Sequence, residues 1–127
     1  GGKELLPEAE LSDYLSMMPA AIQEADPDLL QRYVSIAADF SLEGQLQTAH
    51  CLYQKEAWTQ AAELYKKLSV DQAQQNQDFW RETGIIALHQ GRHAEAAAAL
   101  RQAQSLGDVS RETESCLYWA ERENKDD

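Results

Sequence analysis

The histidines of this 127-residue chain are the first side chains to weigh for chemistry. His89 and His93 stand four residues apart, a spacing that places two metal ligands on one face of a continuous helix. Gly91 lies between them and is expected to break that helix. The sequence has no HExxH motif and no third ligand at a supporting spacing. We therefore predict no metal site, and we expect the His93 ring to fill part of the core.

Other catalytic patterns are also missing from the sequence. Cys51 and Cys116 lie far apart, form no CxxC motif, and are expected to be free thiols on helices rather than a disulfide. The chain contains no GxSxG, P-loop, GxGxxG or Cys-His arrangement. Its 22 acidic residues are typical of solvated helix faces. We predict a protein that is not an enzyme and takes no cofactor.

The net charge of -11 restricts the partners. Nucleic acid would be repelled, because its binding depends on Lys and Arg that neutralise phosphates. No apolar run approaches the roughly 18–20 residues of a membrane span. A neutral or basic protein or peptide is the better match. No signal peptide is visible, which favours the cytoplasm, and a periplasmic location stays open if a leader or the rest of a longer chain has been removed.

The composition predicts an all-α fold in a single domain over 1–127. Ala, Gln, Glu and Leu dominate, valine and isoleucine are few, and only three prolines interrupt the chain. Pro19 is expected to end or kink the first helix, and Asp26 and Pro27 to begin the next one. Gly44 marks a possible turn. About seven helices are predicted, from eight helical stretches: 7–18, a short one through Ile22, 27–40, 46–54, 57–70, 79–90, 93–106 and 110–121.

A self-similarity at a spacing of 35 residues links two parts of the chain. When "KEAWTQAAELYKKLSVD" is shifted onto "QGRHAEAAAALRQAQSL", alanines meet alanines and core positions coincide. Such a period is typical of stacked helical pairs. The shift pairs Trp58 with His93, Ala61 with Ala96, Tyr65 with Leu100 and Leu68 with Ala103.

Together with Ala49, Trp80, Gly84 and Gly91, these residues resemble the tetratricopeptide repeat family. In that resemblance Trp80 stands at the early aromatic position, Ala49 and Gly84 at the small position of the first helix, and Gly91 in the turn. The resemblance implies an array of antiparallel helix pairs forming an α-α superhelix, with clear repeats at about 45–71 and 77–108. The N-terminal helices would occupy 1–44, a terminal helix 109–122 and a frayed tail 123–127. Glu56 replaces the usual turn glycine, and Asp108 stands where proline is usual. The repeat register before residue 45 is ambiguous.

The same resemblance implies a concave groove that binds a protein or peptide. Its lining would comprise Leu46, His50, Tyr53, Arg81, Ile85, Leu88, His89 and Trp119. Some of these could instead be buried under the N-terminal helices or a second subunit. A clamp for two carboxylates is not expected, because Glu82 and Glu112 occupy clamp positions and would repel them.

Three biological settings stay open at this point. The chain resembles bacterial type III secretion chaperones, and it also resembles a fragment of the repeat scaffolds of bacterial envelope or exopolysaccharide-export assemblies. A third hypothesis is a self-assembling structural unit. A homodimer could form through the N-terminal helices, where Met17 and Met18 lie, or through the ends of the array.

Overall fold

A computed structural model describes residues 8–68 and 73–126, which form seven α-helices and contain no strand. The all-α fold class is therefore confirmed, with neighbouring helices packed as in a helical repeat array. The helices are α1 (Glu8–Glu24), α2 (Pro27–Ala37), α3 (Leu42–Gln54), α4 (Trp58–Lys67), α5 (Gln77–His89), α6 (His93–Ser105) and α7 (Arg111–Asp126).

The chain divides into two compact units after Leu68. In the first unit α3 packs against α1, α2 and α4, and α2 also packs against α4. In the second unit α6 packs against both α5 and α7, which also touch each other. The organisation of 1–127 as a single domain stays a prediction.

The starts of α2 and α3 are set by side-chain caps. Asp26 accepts a hydrogen bond from the Leu29 amide at 2.9 Å, with Pro27 as the first helical residue, as predicted. Ser41 caps α3 in the same way, so this helix begins four residues earlier than expected. Gly44 consequently lies inside α3, and its prediction as a turn was wrong. A Cβ at this position would stand 2.9 Å from the Cβ of Phe40, which explains a glycine there.

Pro19 does not end α1, which continues to Glu24. Met18 and Ile22 flank the proline one helical turn apart, and both are fully buried. Their burial favours continuation of the helix despite the hydrogen bond that proline removes. At the other end of the chain α7 is helical to Asp126, where a frayed tail was expected.

The 35-residue repeat recurs in the backbone hydrogen bonds of two turns. Between α3 and α4 the Ala57 amide donates to the Leu52 carbonyl at 3.0 Å. Between α5 and α6, 35 residues later, the Arg92 amide donates to the Ala87 carbonyl at 2.9 Å. A bond of this kind closes the C-terminal end of a helix: it runs from the residue after a left-handed one to the carbonyl five residues earlier. The same turn therefore joins the helices of both pairs.

The left-handed position of this turn is filled by different residues in the two repeats. Gly91 adopts φ 76°, and Glu56, at the equivalent place, adopts φ 63°. Glycine takes this conformation without steric cost, whereas an L side chain is strained in it. The first repeat thus carries a backbone strain that the second avoids.

We predict that Glu56→Gly raises the free energy of unfolding by about 1 kcal/mol, because it removes this strain. Gly91→Ala should lower it by a similar amount, since an added Cβ has no neighbour within 4 Å and only the backbone term remains. Urea unfolding followed by circular dichroism measures both. Glu56→Ala is the control, because it removes the charge but keeps a Cβ. An equal gain from Glu56→Ala would contradict the explanation.

Close helix contact in the second unit depends on Gly84. A Cβ there would stand 2.6 Å from Cγ of Leu100 and 3.2 Å from the Ala96 carbonyl oxygen. Real side chains do not tolerate such a distance, so α5 and α6 approach as closely as they do only because residue 84 has no side chain.

We predict that Gly84→Ala destabilises the protein by about 1–3 kcal/mol through overpacking against Leu100. In a Leu100→Ala background the added methyl group should cost much less, because the two nearest atoms that it would meet are gone and only the Ala96 carbonyl oxygen, at 3.2 Å, remains. A double-mutant cycle in urea measures the coupling. Purely additive effects would show that Leu100 is not the residue that requires glycine.

Candidate functional site

A half-exposed group of rings lies on the surface of the first unit. Leu46, His50 and Tyr53 follow one another along α3 at spacings of four and three residues, and all three are half-buried. The Tyr53 ring stacks on His50 with centroids 6.2 Å apart and contacts Trp58 of α4 edge-on at 5.7 Å. We call these four residues the ring surface.

The ring surface joins three residues predicted for a groove with one predicted for the core. Trp58 was expected inside the repeat, yet it is half-buried and continues the row of rings outward. Offset and edge-on ring pairs add to the stability that burial alone provides. The ring surface has apolar ring faces next to the polar atoms of Tyr53 and His50. This combination suits a peptide, whose apolar side chains lie next to a polar backbone.

The predicted groove residues of the second unit do not share one exposure. His89 and Trp119 are exposed, Leu88 and Arg81 are half-buried, and Ile85 is only 3% exposed. The prediction of Ile85 as a groove residue is corrected, because its side chain belongs to the core of its unit. His89 and His93 lie on different helices, at the end of α5 and the start of α6.

Most residues predicted for the repeat core have little exposed surface. Those that are buried are Ala49, Ala61, Tyr65, Gly84, Ala96, Leu100 and Ala103. Trp80 and His93 are half-buried, and Gly91 lies in its exposed turn. The Trp80 indole N–H donates to the Gln74 carbonyl at 3.2 Å, which ties the start of α5 to the segment before it.

Asp108 forms the centre of a buried polar network in the second unit. It is 4% exposed and accepts hydrogen bonds from the Thr113 hydroxyl at 2.7 Å and the Ser110 amide at 2.9 Å. Its carboxylate also lies 3.5 Å from Arg81 on α5. The network joins the start of α7 to α5, at a position where proline is usual in the family that the chain resembles.

Arg81 shares its guanidinium among several carboxylates. It lies 2.8 Å from Asp78 and 3.8 Å from the buried Glu82, in addition to Asp108. Desolvation lowers the pKa of Arg81, but the hydrogen bond and charges of these acids outweigh it and hold the pKa above its ordinary value. An arginine engaged in this way connects α5 to the start of α7, and its role as a groove residue stays a prediction.

The pKa of Asp108 lies below its ordinary value. Burial alone raises the pKa, since it disfavours the charged form. Hydrogen bonds from Thr113 and Ser110, together with the charge of Arg81, outweigh burial and favour the carboxylate. Asp108 is therefore a charged, structural residue. The pattern Asp-x-Ser-x-x-Thr before α7 is a local signal for such a cap, and it could have identified Asp108 from the sequence.

An aromatic cluster on the outer face of α7 was largely missed from the sequence. Tyr118 is 60% exposed and Trp119 50%, with ring centroids 5.8 Å apart. The guanidinium of Arg122 lies 5.5 Å from the Trp119 ring, a cation–π distance. Thr113 and Ala120 face the opposite way and are buried. A helical-wheel view of 111–122 would have separated these two faces.

The two cysteines were also candidates for a reactive or metal-binding role. Cys51 is buried and Cys116 half-buried, and neither forms a disulfide. Burial, with a smaller effect of Glu112, raises the pKa of the Cys116 thiol and so disfavours the thiolate. Within residues 8–68 and 73–126 no three His, Cys, Asp or Glu side chains are placed to share a metal ion.

The described helices are also too short or too polar to cross a bilayer. Comparisons of the chain with protein families, with curated proteins and with solved structures found no match. The tetratricopeptide resemblance therefore stays a prediction, and the surfaces described above are the basis for a functional proposal.

We predict that Asp108→Asn lowers the free energy of unfolding at pH 7 by about 1–3 kcal/mol, because it weakens buried charge-assisted hydrogen bonds. The wild-type advantage is present above the ordinary Asp pKa of about 3.9 and is lost as the pH falls through the lower folded pKa. Urea midpoints between pH 7 and pH 3 test this. Equal stability of variant and wild type across that range would refute the role given to Asp108.

Thr113→Val provides a second variant with nearly unchanged side-chain volume. It removes the hydroxyl that donates to Asp108 but leaves the carboxylate and Arg81 in place. At pH 7 we expect Thr113→Val to lower the free energy of unfolding less than Asp108→Asn does. On acidification the stability of Thr113→Val should fall more steeply than that of Asp108→Asn, because Thr113→Val keeps the carboxylate that is protonated.

Proposed function

We propose that this chain is a non-enzymatic module that binds a protein or peptide segment on the ring surface of its first unit. The observation that carries the proposal is the row of half-exposed rings formed by His50, Tyr53 and Trp58 beside Leu46. Aromatic anchors of this kind dominate binding energy at protein interfaces. Single exposed apolar residues are normal on a protein surface, whereas several aromatic side chains at one place are typical of an interaction site.

Charge supports a neutral or basic partner. The first unit carries 11 acidic and 5 basic residues and the second 11 and 6, so both units are acidic. Attraction between the acidic first unit and a basic segment raises the association rate and disfavours binding of acidic competitors. The ring surface would then supply the short-range contacts, with the apolar side chains of the partner packing against the rings.

The secretion-chaperone hypothesis is the finer form of this proposal. A chaperone that shields an aggregation-prone apolar subunit needs an apolar contact surface within a strongly charged, soluble body. The ring surface and the net charge of -11 meet those two requirements. A scaffold within a larger assembly requires the same kind of surface, so the two settings share one binding test.

We predict that peptides selected from a displayed library of random 16-residue sequences will bind through the ring surface. Fluorescence anisotropy with a selected peptide should show binding at least about tenfold weaker to Tyr53→Ala than to wild type, the loss typical of an interface anchor. Leu46→Ala should weaken binding as well, since it borders the same rings without belonging to the ring stack.

Ile36→Ala is the matched control. Ile36 is 46% exposed on α2 of the same unit, outside the ring surface, so its truncation removes a comparable apolar side chain elsewhere. Binding that is lost with Ile36→Ala and kept with Tyr53→Ala would place the site on α2 and contradict the proposal. A library that yields no binding peptide would contradict it too. Circular dichroism of each variant verifies that it is folded at the assay temperature.

A further inference from the structure

The outer face of α7 has a pattern of side chains that is complementary to itself. Glu112, Ser115, Trp119 and Arg122 follow at spacings of three, four and three residues and are all exposed. This spacing places them along one stripe of the helix, as at the a and d positions of a coiled coil. We call these four residues the α7 seam. An acid stands at one end of the seam, a base at the other, and a small and a large residue between them.

Two copies of the seam match when they run in opposite directions. In an antiparallel pair with a two-fold axis at the height of residue 117, positions equally far from 117 lie at the same height. Glu112 and Arg122 each lie five residues from that point, and Ser115 and Trp119 each lie two. Glu112 of one copy then meets Arg122 of the other, and the Trp119 ring packs over the small Ser115, each contact occurring twice.

A parallel pair is disfavoured by the same charges. It would place Glu112 beside Glu112 and Arg122 beside Arg122, and like charges in contact are repulsive. Within one copy the Arg122 guanidinium lies 5.5 Å from the Trp119 ring, so the aromatic side chain is already held in place before association.

From this pattern we infer that the occupant of the α7 seam is a second copy of this chain, bound antiparallel as a two-fold homodimer. The α7 helix has 16 residues and so a length of about 24 Å, which gives a small interface. Small interfaces form weak, reversible complexes. The dimer therefore belongs in the micromolar range of dissociation constants. It uses residues of the second unit and is independent of the ring surface.

Sedimentation equilibrium of the full chain at pH 7 and physiological salt tests the inference. The wild type should show a monomer–dimer equilibrium. Glu112→Arg and Arg122→Glu should each weaken dimerisation at least about tenfold, because each turns both opposite-charge contacts into like-charge contacts. The double variant that carries both changes should regain the wild-type dissociation constant to within about threefold, since its charges are exchanged but still matched.

Mixing the two single variants gives a test that loss of folding cannot imitate. In a mixed pair the two substituted positions would face each other with opposite charges in one layer, and the native Arg122 would face the native Glu112 in the other. Two variants that are each monomeric alone should therefore form a one-to-one dimer together. A wild type that stays monomeric up to about 200 µM, a concentration well above micromolar dissociation constants, would overturn the inference. A dimer unaffected by either single change, or single variants that fail to pair when mixed, would overturn it as well.

Discussion

The contact between Gly84 and Leu100 is the constraint on which the second unit depends. A methyl group on residue 84 would stand 2.6 Å from Leu100, so the distance between α5 and α6 is set by the absence of a side chain. Ala96, Ala97 and Ala103 on α6 are buried as well, which leaves room for a close approach over several turns. The close approach brings many atoms of the two helices into van der Waals contact. It thereby fills the space that larger side chains would otherwise have to fill.

Small residues between the helices have a consequence for where the rings lie. In the first unit Ala49 and Ala61 are fully buried, whereas Tyr53 and Trp58 meet at the rim of the α3–α4 pair with their rings partly exposed. Alanines at these two positions leave little space between α3 and α4 for an indole ring. The rings therefore lie at the edge of the helix pair, where they are half-buried. The small residues between α3 and α4 thus account both for the close packing of the two helices and for the position of the ring surface.

The parts of the fold that were predictable from the sequence depend on local chemistry. Asp26 followed by Pro27 specifies a helix start whatever surrounds it, and Gly91 specifies a left-handed turn. The 35-residue repeat predicted equivalent helix pairs correctly at the turns, because both turns have the same hydrogen-bond geometry. Glu56 adopts a strained conformation to form this turn. Gly44 was misread because a glycine required by close contact with Phe40 looks in sequence like a glycine required by a turn.

Side-chain exposure was predictable only in part, because it depends on which neighbour covers a helix face. Ile85 and Tyr118 are both large side chains on amphipathic helices, yet one is buried and the other 60% exposed. Periodicity identifies an apolar stripe but does not say what lies opposite. The position of Asp108 is comparable. The Asp-x-Ser-x-x-Thr pattern could have identified it as a cap, but its burial and its contact with Arg81 depend on how α5 and α7 pack.

The net charge of -11 places a physical condition on both proposed surfaces. Two copies of an acidic chain repel each other at long range, but at physiological ionic strength this repulsion is screened over about 8 Å. The opposite charges of Glu112 and Arg122 would act at contact distance, where screening is weaker. Added salt should then have two opposing effects on the homodimer, whereas it should only weaken binding of a basic peptide to the first unit. The same excess of acid that selects a basic partner for the ring surface thus limits the homodimer to a weak one, in which matched charges and the Trp119 contact must offset the repulsion between the rest of the two chains.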